Sequence, residues 1–298
     1  MKLSDFIIDS IELISDGTFE ALDLCESTLP MNTLIFVEHE KYIPLIKANP
    51  HITCVIAVKE LAGKMPDSVL GICVSSSPKV DFFLLHNRLC SEAGYTRART
   101  RTRIGADCQI SPMAHIAKEN VVIGNNVYIE EFVSVKENTR IGDNVSIRSG
   151  CMIGTDGFEF KKTVSGTVFI KHAGGTVIED NVHILNNCCV CKAVFPWDDT
   201  VVGESTVIDN LVHVAHSCKV GKRNILTAGV IFSGSAVTGD DVYIGPNAVI
   251  AKVEMGVASR ASIGSVVTKG VNPGSVVSGN FAIEHSKLLR HVKELANS

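Results

Sequence analysis

Two histidines stand three residues apart in the segment at residues 211–221, which reads LVHVAHSCKVG and otherwise alternates like a β-strand. His213 and His216 could be buried packing residues or two ligands of a metal ion, and either could be a general base, because imidazole serves in all of these roles near neutral pH. The segment by itself leaves the three interpretations open. The elements on either side of it decide which side chains lie beside each imidazole.

A repeat of six residues supplies those elements. Aliphatic residues recur at every sixth position, for example at Ile123, Ile129, Val135 and Ile141, and again at Val202, Ile208, Val214 and Val220. This period is the hexapeptide repeat of a parallel β-helix. Three hexads form one coil, in which the aliphatic residue points inwards and stacks on its equivalents 18 residues away, about 4.8 Å along the axis. Nine hexads before residue 155 and about fifteen after residue 176 predict roughly eight coils.

The remaining segments predict further parts. Residues 1–95 combine β-rich runs at 33–37, 53–58 and 71–75 with helical spacing at 42–48 and 79–89, which predicts a small α/β domain. Residues 96–103 form a basic linker whose arginines either face solvent or contact a phosphate or a partner. The β-helix is expected over 104–282, with an excursion at 155–176 that is either a simple hairpin or a functional loop. A short amphipathic helix is expected over 283–298.

Composition limits the class of protein. A net charge of −4 argues against an obligate nucleic-acid binder, since neutralising phosphates requires a basic surface. An apolar run of about 20 residues, as a transmembrane helix requires, is absent from the sequence. The first residues lack the pattern of a signal peptide, and ten cysteines without an export signal are typical of reduced thiols, so we expect a cytoplasmic protein.

Hexad phase assigns the cysteines to packing. Cys108, Cys151, Cys188 and Cys218 each precede an inward aliphatic residue by two positions, at a corner where a small side chain is needed. The cluster at 188–191, CCVC, is interpreted in the same way. Paired CxxC motifs of structural zinc sites are absent from the sequence, so we expect neither a metal ion nor a bound cofactor.

The same phase separates the two histidines. Val214 points inwards, so His213 precedes an inward position and His216 follows it by two residues. If the corner at 195–197 keeps phase, 18-residue coils stack His216 on Asp198 one coil before, on Gly234 one coil after and on Lys252 two coils after. A carboxylate there orients an imidazole and stabilises its protonated form. The glycine leaves the imidazole uncovered, and the lysine can meet a phosphate or a developing anion.

Several motifs now occur in the order of one known family. These are the hexapeptide repeat, Asp156-Gly157-Phe158 with Phe160 close behind, DDTVVG at 198–203, VIDNLVHVAH at 207–216 and SGN at 278–280. Together they resemble the UDP-3-O-(3-hydroxyacyl)glucosamine N-acyltransferases of lipid A biosynthesis. The resemblance covers nearly the whole chain, because TLIFVEHEKY at 33–42 is similar to that family's N-terminal uridine-binding segment.

The resemblance implies a left-handed β-helix that assembles as a homotrimer, with active sites between neighbouring prisms. It implies transfer of an acyl group from acyl carrier protein or coenzyme A, as co-substrate, to the amine of a UDP-linked amino sugar. His216 matches the family's general base, and Phe36 and Tyr42 match the aromatics that stack on uracil. The resemblance and the coil register together assign Lys252 and His39 to nucleotide binding, and Asp156, Phe158, Gly234 and His213 to the donor or substrate cleft.

Three positions depart from the family pattern. His39 replaces an asparagine, Lys252 replaces a second histidine, and Glu159 replaces a second glycine. They leave the amino sugar and the acyl chain open, together with the choice between acyl carrier protein and coenzyme A. Two alternatives therefore stand beside lipid A synthesis. One is an acetyl-CoA-dependent N-acetyltransferase of a nucleotide-linked dideoxy amino sugar, and the other is a non-catalytic β-helix that binds sugars or assembles with partners.

Overall fold

Short strands separated by tight corners form most of the chain, as the six-residue repeat predicts. The computed structural model describes residues 1–6, 11–92, 94–279 and 284–296. The chain divides into two compact units. The first comprises Met1–Arg99, Asp156–Gly174 and Ala193–Asp198, and the second comprises Thr100–Thr155, Gly175–Lys192 and Asp199–Ser298.

The first unit is built on a five-stranded sheet with the order β1-β5-β4-β3-β2, in which β2 to β5 run parallel and β1 is antiparallel. Single 3₁₀ turns lie at Leu3–Phe6 and Glu40–Tyr42. The strands and helices are β1 (Ile11–Ser15), β2 (Ala21–Leu22), β3 (Thr33–Val37), α1 (Ile43–Ala48), β4 (Ile52–Ala57), α2 (Lys59–Ala62), β5 (Gly71–Ser75) and α3 (Pro78–Leu89).

The second unit is a prism of three parallel sheets. Its first part contains β6 (Arg103–Ile104), β7 (Gln109–Ile110), β8 (His115–Ile116), β9 (Val121–Ile123), β10 (Tyr128–Ile129), β11 (Ser134–Val135), β12 (Thr139–Ile141), β13 (Ser146–Ile147) and β14 (Met152–Thr155). The hairpin β15 (Phe160–Thr163) and β16 (Gly166–Phe169), which belongs to the first unit, follows.

The prism resumes at β17 (Gly175–Ile178), β18 (His183–Ile184), β19 (Cys189–Cys191), β20 (Asp199–Val202), β21 (Val207–Ile208), β22 (His213–Val214), β23 (Lys219–Val220) and β24 (Ile225–Leu226). It continues with β25 (Ile231–Phe232), β26 (Val237–Thr238), β27 (Tyr243–Ile244), β28 (Val249–Ile250), β29 (Glu254–Met255), β30 (Arg260–Ala261), β31 (Val266–Val267) and β32 (Val276–Val277), and helix α4 (His285–Ala296) follows. Within the described residues the three sheets hold nine, eight and eight strands, which agrees with the roughly eight coils expected.

Strand register shows which coils follow the 18-residue step. Val214 pairs with Phe232, and Phe232 pairs with Ile250, each 18 residues on. Val190, in contrast, pairs with Val214, 24 residues on. The prediction of unbroken 18-residue coils from Ile178 to Ile250 is therefore wrong for one coil. The extra six residues are Ala193–Asp198, which leave the prism and belong to the first unit.

The inward aliphatic residues form one continuous buried cluster along the prism, as the hexad phase predicts. Cys151, Cys188 and Cys218 are buried in this cluster, and Cys108 packs against it, so their assignment to packing is confirmed. Asparagine occupies many of the tight corners in left-handed backbone conformations, at a lower steric cost than most residues. Asn144, with a φ of 57°, joins Asn126 and Asn181 in a ladder of side-chain hydrogen bonds of 2.9 and 3.2 Å.

Both excursions pack within the first unit. Ile170, Val194 and Phe195 are buried in the same cluster as Phe82. His86, on α3, is fully buried, and its Nε2 lies 2.9 Å from the carbonyl oxygen of Lys171. Burial lowers the pKa of the His86 imidazole to about 4, because an apolar environment disfavours the charged form. These contacts explain why large apolar residues interrupt the repeat.

Two sequence expectations concern the linker and the chain end. Arg97 is half-buried, and its guanidinium donates hydrogen bonds to the backbone carbonyls of Pro196 and Asp198, at 2.6 and 2.9 Å. This arginine is thus neither a purely solvated residue nor held for a phosphate. Helix α4 agrees with the helix expected near the C-terminus, although residues 283, 297 and 298 lie outside the described range. No helix among the described residues is long and apolar enough to span a membrane.

Candidate active site

His216 lies at the corner that follows β22. Its ring is half-buried, with Nδ1 fully buried, and the preceding Ala215 is buried. The backbone of this corner is held from both neighbouring coils. The Ser235 amide donates a hydrogen bond of 2.9 Å to the carbonyl of His216, and the Ser217 amide donates one of 2.8 Å to Oγ1 of the buried Thr200. The imidazole therefore projects from a fixed stretch of backbone.

Gly234 lies against this imidazole. A Cβ atom at position 234 would lie 2.5 Å from Cε1 of His216, 2.6 Å from Nε2 and 3.2 Å from Nδ1. Any side chain here would occupy the space of the ring, so the glycine is needed for the imidazole to hold its place. The 18-residue stacking predicted for His216 and Gly234 is present, and the part that the pair plays in a reaction stays a prediction.

Lys252 occupies the equivalent position one coil further on. Phe232 and Ile250 are register partners, which places Gly234 and Lys252 at matching positions two residues beyond them. The Lys252 side chain is exposed. An exposed ammonium group two coils from the imidazole suits contact with an anion.

The strand register on either side of Asp198 differs from the predicted unbroken coil. On the β19 side Cys189 pairs with His213, so the residue in register with His216 is Lys192. On the β20 side Val201 pairs with Lys219, and the 18-residue step holds only from there onwards. Asp198 ends the six-residue excursion and belongs to the first unit. The prediction that Asp198 stacks on His216 assumed an unbroken 18-residue coil, and this assumption is wrong. The orienting role of Asp198 stays a prediction.

His213, the other histidine of the segment, has two cysteines as neighbours. It pairs with Cys189 across the ladder, and both side chains are half-buried. A hydrogen bond with Cys191 lowers the pKa of the Cys189 thiol, and His213 acts in the same direction. The prediction that the cluster at 188–191 serves packing agrees with the burial of Cys188 and Cys191, whereas Cys189 is half-buried and lies outside the apolar cluster of the prism. Hexad phase could have indicated that Cys189 and Cys191 lie together, because both flank the inward Val190.

The excursion residues lie in the first unit. Asp156 is exposed, and Phe158 has 86% of its side chain accessible. The Phe158 ring lies 4.9 Å from that of Phe160, whose ring is 5.2 Å from Phe169 on the other strand of the hairpin. The exposed aromatics expected from the sequence are therefore present, on a two-stranded hairpin. Glu159, which replaces the family's glycine, forms an ion pair with Lys161.

The uridine-binding candidates lie at the carboxyl end of β3. Phe36 is half-buried, with its ring 5.2 Å from that of Phe82. His39 is exposed and precedes the 3₁₀ turn, in which Tyr42 is half-buried with Nζ of Lys41 4.9 Å from its ring centre. Ligands of α/β sheets bind outside the carboxyl ends of parallel strands, and these side chains occupy such a place.

Comparison with known proteins gives results for sequence and for fold. The bacterial transferase hexapeptide family (six repeats) matches residues 120–155. The UDP-3-O-acylglucosamine N-acyltransferase of Coxiella burnetii (strain Dugway 5J108-111) is 31% identical over 191 residues, which cover 56% of this chain and 53% of that protein. The chain thus spans about half the length of this relative. The protein of the same name from Helicobacter pylori (strain ATCC 700392 / 26695) is 30% identical over 276 residues, covering 82% of this chain and 78% of the relative.

Among solved structures, the UDP-N-acetylglucosamine O-acyltransferase of Moraxella catarrhalis superposes with a TM-score of 0.54 at 23% identity. The match covers 64% of this chain and 75% of that chain. At this identity the match concerns the fold alone, and it confirms the predicted left-handed parallel β-helix. The long match to the Helicobacter protein extends well beyond the repeat and shows that the chain belongs to the UDP-3-O-acylglucosamine N-acyltransferase family.

Proposed function

We propose that this protein transfers an acyl group from a thioester to the amine of a UDP-linked amino sugar, in the synthesis of lipid A or a related surface glycan. One observation carries the proposal: the imidazole of His216 is held at a corner of the prism where Gly234 leaves room for it. Family membership supports the reaction type, since the named relatives are N-acyltransferases of a UDP-linked sugar.

In the proposed reaction, His216 accepts a proton from the sugar amine as its nitrogen attacks the thioester carbonyl. The tetrahedral intermediate collapses to the amide, and the proton returns to the departing thiolate. A histidine positioned beside the nucleophile contributes about 10² to 10⁴ in rate. Lys252 provides positive charge for the diphosphate. We assign Asp198 as an orienting carboxylate, with a smaller contribution than that of His216.

The first unit is proposed to recognise the uridine. Phe36 and Tyr42 offer aromatic surfaces for the base, and His39 offers a ring nitrogen for a polar contact at the carboxyl end of β3. The exposed Asp156 and Phe158 are assigned to the donor or substrate cleft, together with Gly234 and His213. The assembly is proposed to be a homotrimer, by analogy with the family.

A donor and acceptor screen tests the proposal. Acyl carrier protein thioesters, long-chain acyl-CoA and acetyl-CoA are each offered with UDP-3-O-acylglucosamine and with a UDP-linked dideoxy amino sugar, and amide formation is followed by mass spectrometry. His216→Ala is expected to reduce turnover by about 100-fold or more while UDP-sugar binding is retained. His115→Ala, which removes an exposed imidazole from β8, is the matched control.

The outcomes separate the alternatives. Turnover with acetyl-CoA alone would select the short-chain N-acetyltransferase. Binding of UDP-sugar without turnover for any donor would select a non-catalytic sugar-binding β-helix. A fully active His216→Ala variant would exclude His216 as the base. Asp198→Asn is expected to reduce turnover less than His216→Ala, and an unchanged rate would remove Asp198 from the mechanism.

A further inference from the structure

Three side chains with soft donor atoms converge on the prism. The Sγ atoms of Cys189 and Cys191 and a ring nitrogen of His213 all lie within 4.8 Å of one another. Cys191 is buried, and the other two side chains are half-buried. We call these three residues the Cys2His cluster.

The strand ladder builds this arrangement. Cys189 and His213 are register partners on β19 and β22, and the residues next to them, Val190 and Val214, are fully buried inside the prism. Side chains alternate between the two faces of a strand, so Cys189, Cys191 and His213 share the outer face. Backbone hydrogen bonds of 2.9 Å hold Cys189 to Val212 and His213 to Val230. The backbone positions of the three residues are therefore set by the strand ladder.

The distances fit a transition metal. Zinc–sulfur and zinc–nitrogen bonds are about 2.3 and 2.0–2.1 Å long, so neighbouring ligand atoms of a tetrahedral site lie roughly 3.4 to 3.8 Å apart. The three ligand atoms lie within 4.8 Å of one another, so the largest separation exceeds this range by only about 1 Å. Thiolate and imidazole ligands favour zinc or monovalent copper over magnesium and calcium, which prefer oxygen. Three protein ligands leave a fourth position for water or another small ligand.

Packing alone does not explain these cysteines. Cys188 and Cys191 are equally buried, at 1% exposure each, but only Cys188 lies in the apolar cluster of the prism. In the described part of the chain, that cluster includes neither Cys189 nor Cys191. Their thiols lie instead beside a histidine on the opposite side of the sheet. A second thiol and an imidazole at the same point are what a soft cation requires.

We propose that Cys189, Cys191 and His213 bind one zinc ion, or a comparably soft cation, with an open fourth position. The proposal concerns binding of the metal alone and can be tested without acyl transfer, although it shares His213 with the proposed donor or substrate cleft. A bound ion would engage His213 as a ligand and withdraw it from the contact with substrate that the sequence predicts.

Cobalt substitution tests the site in the full-length protein. The reduced chain is stripped with a chelator and titrated with Co²⁺ under nitrogen. We expect one Co²⁺ per chain, with the visible bands of tetrahedral coordination and a thiolate-to-cobalt charge-transfer band in the near ultraviolet. One equivalent of Zn²⁺ should abolish both signals. A spectrum of octahedral cobalt without thiolate character would overturn the proposal.

Variants assign the ligands. Cys189→Ser and Cys191→Ser should each weaken zinc binding by about 100-fold or more. Loss of a residue that only hydrogen-bonds to a metal ligand already costs about 10- to 100-fold, and loss of a direct ligand should cost at least as much. His213→Gln should retain the thiolate band and weaken binding. Cys108→Ser, a half-buried cysteine at another corner, is the matched control and should bind as the parent does. Circular dichroism verifies that each variant is folded. If the folded Cys189→Ser variant binds zinc as tightly as Cys108→Ser, the cluster is not the site.

Discussion

Substitution of Gly234 by alanine isolates the contact on which the proposed site depends. The three atoms nearest to the added methyl all belong to the imidazole of His216, with Cε1 at 2.5 Å and Nε2 at 2.6 Å. Carbon atoms in favourable contact lie about 3.5–4.0 Å apart, so the ring must move by roughly 1 Å. The backbone at Gly234 lies outside the left-handed region, and alanine therefore adds no backbone strain there.

The expected loss follows from this displacement. Misplacing a catalytic group by about 1 Å can cost about 100-fold in rate. This loss corresponds to about 2.7 kcal/mol of transition-state stabilisation. The conflicting atoms form the end of a side chain that can turn away, so we expect the free energy of unfolding to fall by only about 1 kcal/mol. Activity should thus fall far more than stability does.

Steady-state kinetics and unfolding of the Gly234→Ala protein give the two readouts. We expect kcat/KM to fall about 100-fold, with UDP-sugar affinity nearly unchanged. Gly270→Ala is the matched control, because the nearest atom to its added methyl is the carbonyl oxygen of Glu254 at 3.5 Å. In a His216→Ala background the steric conflict is absent, so Gly234→Ala should no longer destabilise the protein. Equal destabilisation in both backgrounds, or full activity of the single variant, would refute the reasoning.

Two further predictions concern stability. In the folded protein the buried His86 has a pKa of about 4, whereas in the unfolded chain its imidazole takes up a proton near pH 6.5. The free energy of unfolding is therefore fully present above pH 6.5 and decreases as the pH falls towards 4. We expect the free energy of unfolding to be about 2 kcal/mol lower at pH 5 than at pH 7. Urea unfolding monitored by the fluorescence of Trp197, the single tryptophan, measures it. The His86→Gln variant should show a weaker dependence on pH. A pH-independent midpoint in the parent protein would contradict the assignment. Asn144→Ala should lower the free energy of unfolding by about 1–2 kcal/mol and Asn144→Gly by less, because only alanine meets steric cost at a φ of 57°; equal losses, measured by circular dichroism in urea, would assign the effect to the lost side-chain hydrogen bonds instead.

The prism itself could be predicted because the six-residue pattern results directly from the packing of its core. Each inward position, such as Val214 or Phe232, is buried by its neighbours in the coils above and below, so an aliphatic residue is required at every sixth place. The approach of Gly234 to His216 followed from the same phase without further information. By contrast, the pairing of Cys189 with His213 crosses the coil of unusual length, and it could be located only from the observed register.

The excursion at Ala193–Asp198 could not be predicted from the period because its length is one full hexad. Val190 and Val202 keep the six-residue phase in a 24-residue coil as they would in an 18-residue coil. Six extra residues therefore give the same sequence pattern whether they form another strand of the prism or leave it. The burial of Val194 and Phe195 in the first unit distinguishes the two cases, and it is a tertiary contact. Large apolar residues at a corner that favours small ones were the available local signal.

This difference in coil length determines which functional inferences hold. Paired strands are 18 residues apart from β20 to β23, from β22 to β25 and from β25 to β28. The stacking order His216, Gly234, Lys252 therefore depends only on the observed register. An argument that crosses residues 193–198 depends instead on the path of a loop. The assignment of His216 and that of Asp198 therefore rest on different physical grounds, although both came from one periodic pattern. For this reason a negative result with Asp198→Asn would leave the proposed base untouched, whereas a fully active Gly234→Ala variant would count against it.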